Sequence, residues 1–200
     1  ADDTAEMVAT LGRAMIAAVV IGAGLLVLQG LVIEGAMALM AASPEVDAHS
    51  RAYFTIRIWS APAALANYVI LGWFLGMQNA RAGLIIQVFI NLLNIVLDLV
   101  FVVWLGMAVE GVAAATVIAE YAGLGLGLVM LRGALAKLGR AAIDWRRVLE
   151  PARMRHMIAV NRDIFLRTLC LITAFAYLTI QGARMGDVIL AAHALLLHLV

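Results

Sequence analysis

Leu84 to Trp104 reads LIIQVFINLLNIVLDLVFVVW, twenty-one residues with no basic side chain and one carboxylate, Asp98. At 1.5 Å of rise per residue, a helix of about 20 such residues crosses the hydrocarbon core of a bilayer. A helix packed on a soluble core would keep one broad polar face, whereas here the apolar residues leave only a narrow one. That face holds Gln87, Asn91, Asn94 and Asp98, spaced by four, three and four, which at about 100° per residue stacks them along one line of the helix. The stretch is read as a transmembrane helix carrying a polar stripe.

Similar runs lie on both sides. Val109 to Leu131 forms a following span after a turn at Gly106 to Ala108, and it carries Thr116, Glu120, Gly123 and Gly127 at the same helical spacing. If the hairpin pivots at Met107, Asp98 faces Thr116, Asn94 faces Glu120, Asn91 faces Gly123 and Gln87 faces Gly127. Before the stripe lie Arg51 to Phe74, with Pro62 as an internal kink, and Ala14 to Ile33. Turns are expected at Ser43 to Ser50 and at Met77 to Arg81. The fold class is therefore all-α, a polytopic transmembrane bundle, with four spans in residues 1–132.

Residues 133–160 change character. From Arg132 to Val160 the chain holds Arg132, Lys137, Arg140, Arg146, Arg147, Arg153 and Arg155 against Asp144 and Glu150. A basic loop stays cytoplasmic, which also places Arg13 and Arg81 inside and the Ser43 to Ser50 turn outside. Residues 161–200 then supply a fifth span at about Asp163 to Ile180 and the start of a sixth after Gly186.

Composition agrees with a bilayer: 65% of the 200 residues are hydrophobic and 14% charged, against roughly one quarter charged in soluble domains. A net charge of +1 gives no electrostatic basis for binding nucleic acid. The single cysteine, Cys170, excludes an internal disulfide and a Cys-based metal cluster. An acidic start with Asp2, Asp3 and Glu6, and a last apolar run of 13 residues from Val188 to Val200, are expected of a piece of a longer chain.

A carboxylate deep in a span costs about 2.5 to 3.5 kcal/mol on insertion scales, so Asp98 calls for a partner, a proton or a wet cavity. Leaving water favours the neutral form of a carboxyl group, while nearby amide and hydroxyl oxygens suit a small hard cation. The competing reading is that Asn91, Asn94 and Asp98 bond neighbouring helices together. Glu34 and Arg57 come to equal depth if the first hairpin turns between Glu45 and Val46, and they are expected as a structural ion pair. Gly22-Ala23-Gly24 lacks the setting of a dinucleotide fingerprint, and Gly72 with Gly76 reads as a small-residue packing motif. His193 and His198 are five apart and diverge on a helix, which favours packing or pore lining over metal binding. Asn161 is expected to cap the fifth span, with Asp163 and Arg167 pairing in its first turn.

Several stretches resemble one family. They are Ile56 to Pro62 (IRIWSAP), Gly72 to Ala80 (GWFLGMQNA), Asn91 to Asp98 (NLLNIVLD), Glu110 to Ala113 with Thr116, Asn161 to Thr168 (NRDIFLRT) and Leu190 to Ala192. In this order they are similar to the damage-inducible protein F branch of the multidrug and toxic compound extrusion family. The resemblance implies twelve helices in two six-helix lobes, with this chain covering helices three to eight and the basic segment joining the lobes. It implies a multidrug antiporter in the inner or plasma membrane, exporting cationic or amphipathic xenobiotics in exchange for H+ or Na+ by alternating access. It implies no cofactor beyond that coupling ion, and partners limited to substrate, lipid and the remainder of the same chain. On this basis Asp98, Asn94 and Thr116 are the ion- or proton-coupling residues, with Gln87, Asn91 and Glu120 lining the pathway.

Three other functions compete. A lipid-linked precursor flippase would line its cavity with cations, whereas this stripe is amide and carboxylate. A membrane scaffold without transport needs no buried carboxylate. An enzyme needs a nucleophile and a base at facing depths, and none recur here.

Overall fold

The computed structural model describes residues 2–40, 44–138 and 145–184, and among these the regular structure is helical throughout. The chain divides into two compact units, Ala1–Val148 and Leu149–Val200. The first contains α1 (Asp2–Val27), α2 (Gln29–Met40), α3 (Pro44–Arg57), α4 (Ala61–Gly76), α5 (Ala80–Asp98), α6 (Val109–Lys137) and α7 (Trp145–Val148). The second contains α8 (Pro151–Arg184). Four stretches among the described residues are long and apolar enough to cross a membrane: 4–27, 47–76, 80–104 and 109–137.

The turns follow from local chemistry. Gln78 takes a left-handed backbone (φ 57°), and Asn79 caps α5 by accepting from the Ala82 backbone N–H at 3.2 Å. Gly106, at φ 66°, makes the turn into α6 where a side chain would be strained. Pro62 sits in the first turn of α4, and the backbone before it tightens into a 3-10 turn at Ile58–Ser60. The expected kink is thus a change of helix type within one span.

Helices in lipid associate by close packing rather than by a hydrophobic drive, so small residues decide where they touch. On α6, Gly111, Ala115, Ala119, Gly123 and Gly127 are buried at four-residue intervals. A Cβ at Gly127 would lie 3.3 Å from Ile70 and 3.6 Å from Ile86, and one at Gly123 would overlap the Ile90 side chain. Gly22 is the contact between α1 and α4, where a Cβ would come within 2.7 Å of the Pro62 Cα. The core joins Leu11 of α1, Ile70 and Phe74 of α4, Ala82, Ile86 and Ile90 of α5, and Ala119 and Leu131 of α6.

Several expectations are corrected. The Ser43 to Ser50 turn is largely helix, because α3 already begins at Pro44, a residue suited to a first helical turn. The connection from α2 to α3 therefore falls about three residues before the assumed pivot, and Glu34 is level with Arg51. Glu34 Oε1 pairs with Arg51 at 2.6 Å, and Arg51 also pairs with Asp47 at 2.7 Å. Arg57 instead donates to the buried Ser60 hydroxyl, so the Glu34–Arg57 pair does not form. Gly72 and Gly76 have open space at their Cβ positions and border a groove with Trp73 and Tyr68, so they do not bring two helices together.

The basic segment at residues 133–160 is less a loop than expected, since α6 runs to Lys137, α7 covers 145–148 and α8 starts at Pro151. On α7, Val148 is fully buried against Gly12, and the Arg13 guanidinium donates to the Arg147 carbonyl at 3.0 Å. Arg13 is only 4% exposed and also engages Glu6 and Thr10, so it fastens α7 to α1.

The fifth span lies inside α8, a 34-residue helix that is not among the four spanning stretches. Asn161 lies ten residues after its start, so it bonds back to the Met157 carbonyl at 2.8 Å rather than capping an end. Asp163 pairs with Arg162 at 3.1 Å, not with Arg167. The sixth span, His193 and His198 lie outside the described residues.

Candidate membrane-embedded ion site

The stripe on α5 faces α6 over part of its length. Asn94 Nδ2 donates to the Thr116 hydroxyl at 3.2 Å, and that hydroxyl donates to the Val112 carbonyl at 3.0 Å. The hydroxyl thus spends its proton on α6 and one lone pair on Asn94, leaving a second lone pair for another ligand. Asp98 is the last residue of α5, half-buried, one turn beyond Asn94 on the same face. Its Oδ1 is buried without a hydrogen-bond partner among the described residues. A buried acceptor left without a donor carries a desolvation cost that a proton or a cation would offset.

Immediately after Asp98 the backbone widens into a π-helical turn, Leu99–Trp104, with Leu105 N–H bonded to the Val100 carbonyl at 3.0 Å. Such turns are rare and concentrate at functional sites. A wider turn also fits more residues into the same rise, so counting depth from Met107 slips towards the N-terminus of α5. Thr116 consequently meets Asn94 rather than Asp98, and Gly123 meets Ile90 rather than Asn91.

Glu120 does not meet Asn94. Its Oε2 accepts from Asn67 Nδ2 of α4 at 2.8 Å, and the same nitrogen donates to the Glu120 carbonyl at 2.9 Å. Gln87 and Asn91 bond each other at 3.3 Å along the exposed side of α5. Asn67 is the residue that sequence reasoning missed. Its signal was an amide in the middle of the apolar run Ala63 to Ile70 of α4.

Ionisable and amide groups set along the seam between spanning helices define this unit as part of a polytopic membrane protein with polar chemistry inside the bilayer. The chain belongs to the MatE family, the multidrug and toxic compound extrusion proteins, whose family model matches residues 1–100. It is 43% identical over 190 residues to the DNA damage-inducible protein F of Escherichia coli (strain K12), an alignment covering 95% of this chain and 41% of that protein. From Arabidopsis thaliana, Protein DETOXIFICATION 44, chloroplastic, is 26% identical over 74% of the chain and 27% of the relative. Protein DETOXIFICATION 43 of the same plant is 33% identical over 54% of the chain and 21% of the relative. The chain spans about two fifths or less of the length of these curated relatives. No solved structure matches it.

Proposed function

We propose that the protein containing this chain is a secondary exporter that extrudes cationic or amphipathic compounds in exchange for H+ or Na+. The observation that carries the reading is the buried Asp98 Oδ1, which has no hydrogen-bond partner among the described residues and lies one turn from the Asn94–Thr116 bond that ties α5 to α6. In this account Asp98 binds the coupling ion, with the Asn94 side-chain oxygen and the free lone pair of Thr116 as neutral ligands. A neutral Asp98 and an ionised one favour different arrangements of the α5–α6 seam, so ion occupancy biases two conformations. The π-helical turn beside Asp98 is the segment of α5 best suited to absorb the change. Gln87 and Asn91, exposed on the same face, line the route.

The same reading places the protein in the inner or plasma membrane with residues 132–160 cytoplasmic, on the bias of basic residues. Cysteines introduced at Asp47 and Arg140 in a Cys170→Ser background test the orientation. An impermeant reagent added outside should label position 47 alone, and labelling of position 140 alone would reverse the assignment.

Transport itself is tested with the full-length protein in liposomes holding a fluorescent organic cation. A proton or sodium gradient imposed alone should drive uphill export that stops when the gradient is collapsed. Export indifferent to both gradients would contradict ion exchange.

A further inference from the structure

At one end of the first unit the turn between α4 and α5 meets the end of α6. Asn79 lies between the spanning stretches 47–76 and 80–104, and Lys137 is the last residue of the stretch 109–137, so both stand where the membrane gives way to water. They line an open cavity of about 230 Å³ together with Trp73, Phe74, Met77 and Leu138. A water takes up about 30 Å³ of liquid, so a phosphodiester group has room there.

The polar chemistry of the cavity has one sense. Asn79 Oδ1 accepts from the Ala82 N–H at 3.2 Å as the cap of α5, which leaves the amide N–H groups of Asn79 to donate. The indole of Trp73 only donates, and the exposed Lys137 carries three donors and a positive charge. The backbone carbonyls nearby are engaged in the turns. Those of Trp73, Leu75 and Phe74 accept from the N–H groups of Met77, Gln78 and Asn79 at 3.0, 2.9 and 2.8 Å, and those of Ala134 and Leu135 accept from Leu138 at 3.3 and 3.2 Å. Donors and a cation set into apolar walls complement an anion with an apolar body.

The structure assigns this cavity as a headgroup site for an anionic phospholipid of the adjoining leaflet. The phosphate takes the Lys137 ammonium and the Asn79 amide, and the acyl chain runs along Met77 and Leu138. A free phosphate ion would match the donors but leave the apolar walls without a partner. Trp73, one turn inside the end of its span, sits at the depth that indoles favour in a bilayer. Lipid binding here needs neither ion exchange nor the role given to Asp98.

The test uses full-length protein in phosphatidylcholine vesicles, with phosphatidylglycerol brominated on its upper acyl chain as the probe. The readout is quenching of Trp73 fluorescence, isolated in each variant by difference from its Trp73→Phe counterpart. Quenching should saturate with probe content, and brominated phosphatidylcholine at equal content should quench less. Lys137→Gln should raise the half-saturating content about fivefold, the effect of one cation near an anionic surface, while Lys137→Arg stays close to wild type. Asn79→Asp keeps a capping oxygen for α5 but replaces the amide donors with a carboxylate, so it should weaken binding at least as much. Equal quenching by the two lipids, or an unchanged midpoint in either Lys137→Gln or Asn79→Asp, would overturn the site. So would quenching by neither lipid, which would mean that protein covers the cavity, and displacement of the probe by inorganic phosphate, which would make it a site for a free anion. None of these readouts depends on transport, so failure of the exporter reading leaves them intact.

Discussion

Asn94 and Thr116 are joined by a hydrogen bond of 3.2 Å that crosses from α5 to α6 one turn away from Asp98. The bond makes the seam between these helices a structural neighbour of the carboxylate. The other contacts of this unit show which substitutions leave the helix packing intact.

Gly22 and Gly24 are expected to behave oppositely. A Cβ at Gly22 would strike the Pro62 backbone at 2.7 Å, whereas one at Gly24 meets nothing within 4 Å. Gly22→Ala should lower stability by about 1 to 3 kcal/mol through overpacking, since a backbone atom cannot rotate away. Gly24→Ala should be neutral or stabilising by up to about 1 kcal/mol from helix propensity. Thermal unfolding of the purified variants checks the difference, and equal melting temperatures would deny the α1–α4 contact.

Arg13 holds the Arg147 carbonyl and Glu6 from a position 4% exposed. Arg13→Met keeps much of the volume but removes the donors to the Arg147 carbonyl and the Glu6 carboxylate. The segment at 145–148 should be released, and limited trypsin digestion should cut at Arg146 or Arg147 several-fold faster than in the wild type. Unchanged cleavage would show that Arg13 does not hold α7.

The Glu34–Arg51 pair is tested by charge exchange. Glu34→Arg or Arg51→Glu alone should reduce folded yield, and the double exchange should recover most of it. Recovery by exchanging Glu34 with Arg57 instead would restore the pairing expected from the sequence.

The contrast between these pairs shows what sequence spacing carries. The polar line on α5 was legible because helical periodicity depends only on neighbours a few residues apart, and Asn94 and Thr116 were both legible as polar residues on the facing helices. Their exact partners were not. Depth counted from a turn inherits every error in the turn, which moved Glu34 from Arg57 to Arg51. It also assumes uniform α-helix, which the π-helical turn after Asp98 violates. Asn67 went unread because one amide in an apolar run has no periodic companion, and only the fold brings it to Glu120. The extent of α8 was obscured by Arg153, Arg155 and Arg162, whose charges resemble a loop in a hydropathy reading but suit the exposed face of a helix.

Asp98 is proposed to bind and release the coupling ion. Asp98→Asn preserves shape while fixing the charge at zero, and Thr116→Ala removes one neutral ligand that water can replace. In full-length protein reconstituted with a fluorescent organic cation, the measurement is the initial export rate under imposed proton and sodium gradients. Asp98→Asn should insert normally and lose gradient-driven export by at least about tenfold, with a smaller loss for Thr116→Ala. Wild-type export by Asp98→Asn, with unchanged dependence on pH and sodium, would contradict it and leave the α5 stripe as a set of bonds between helices.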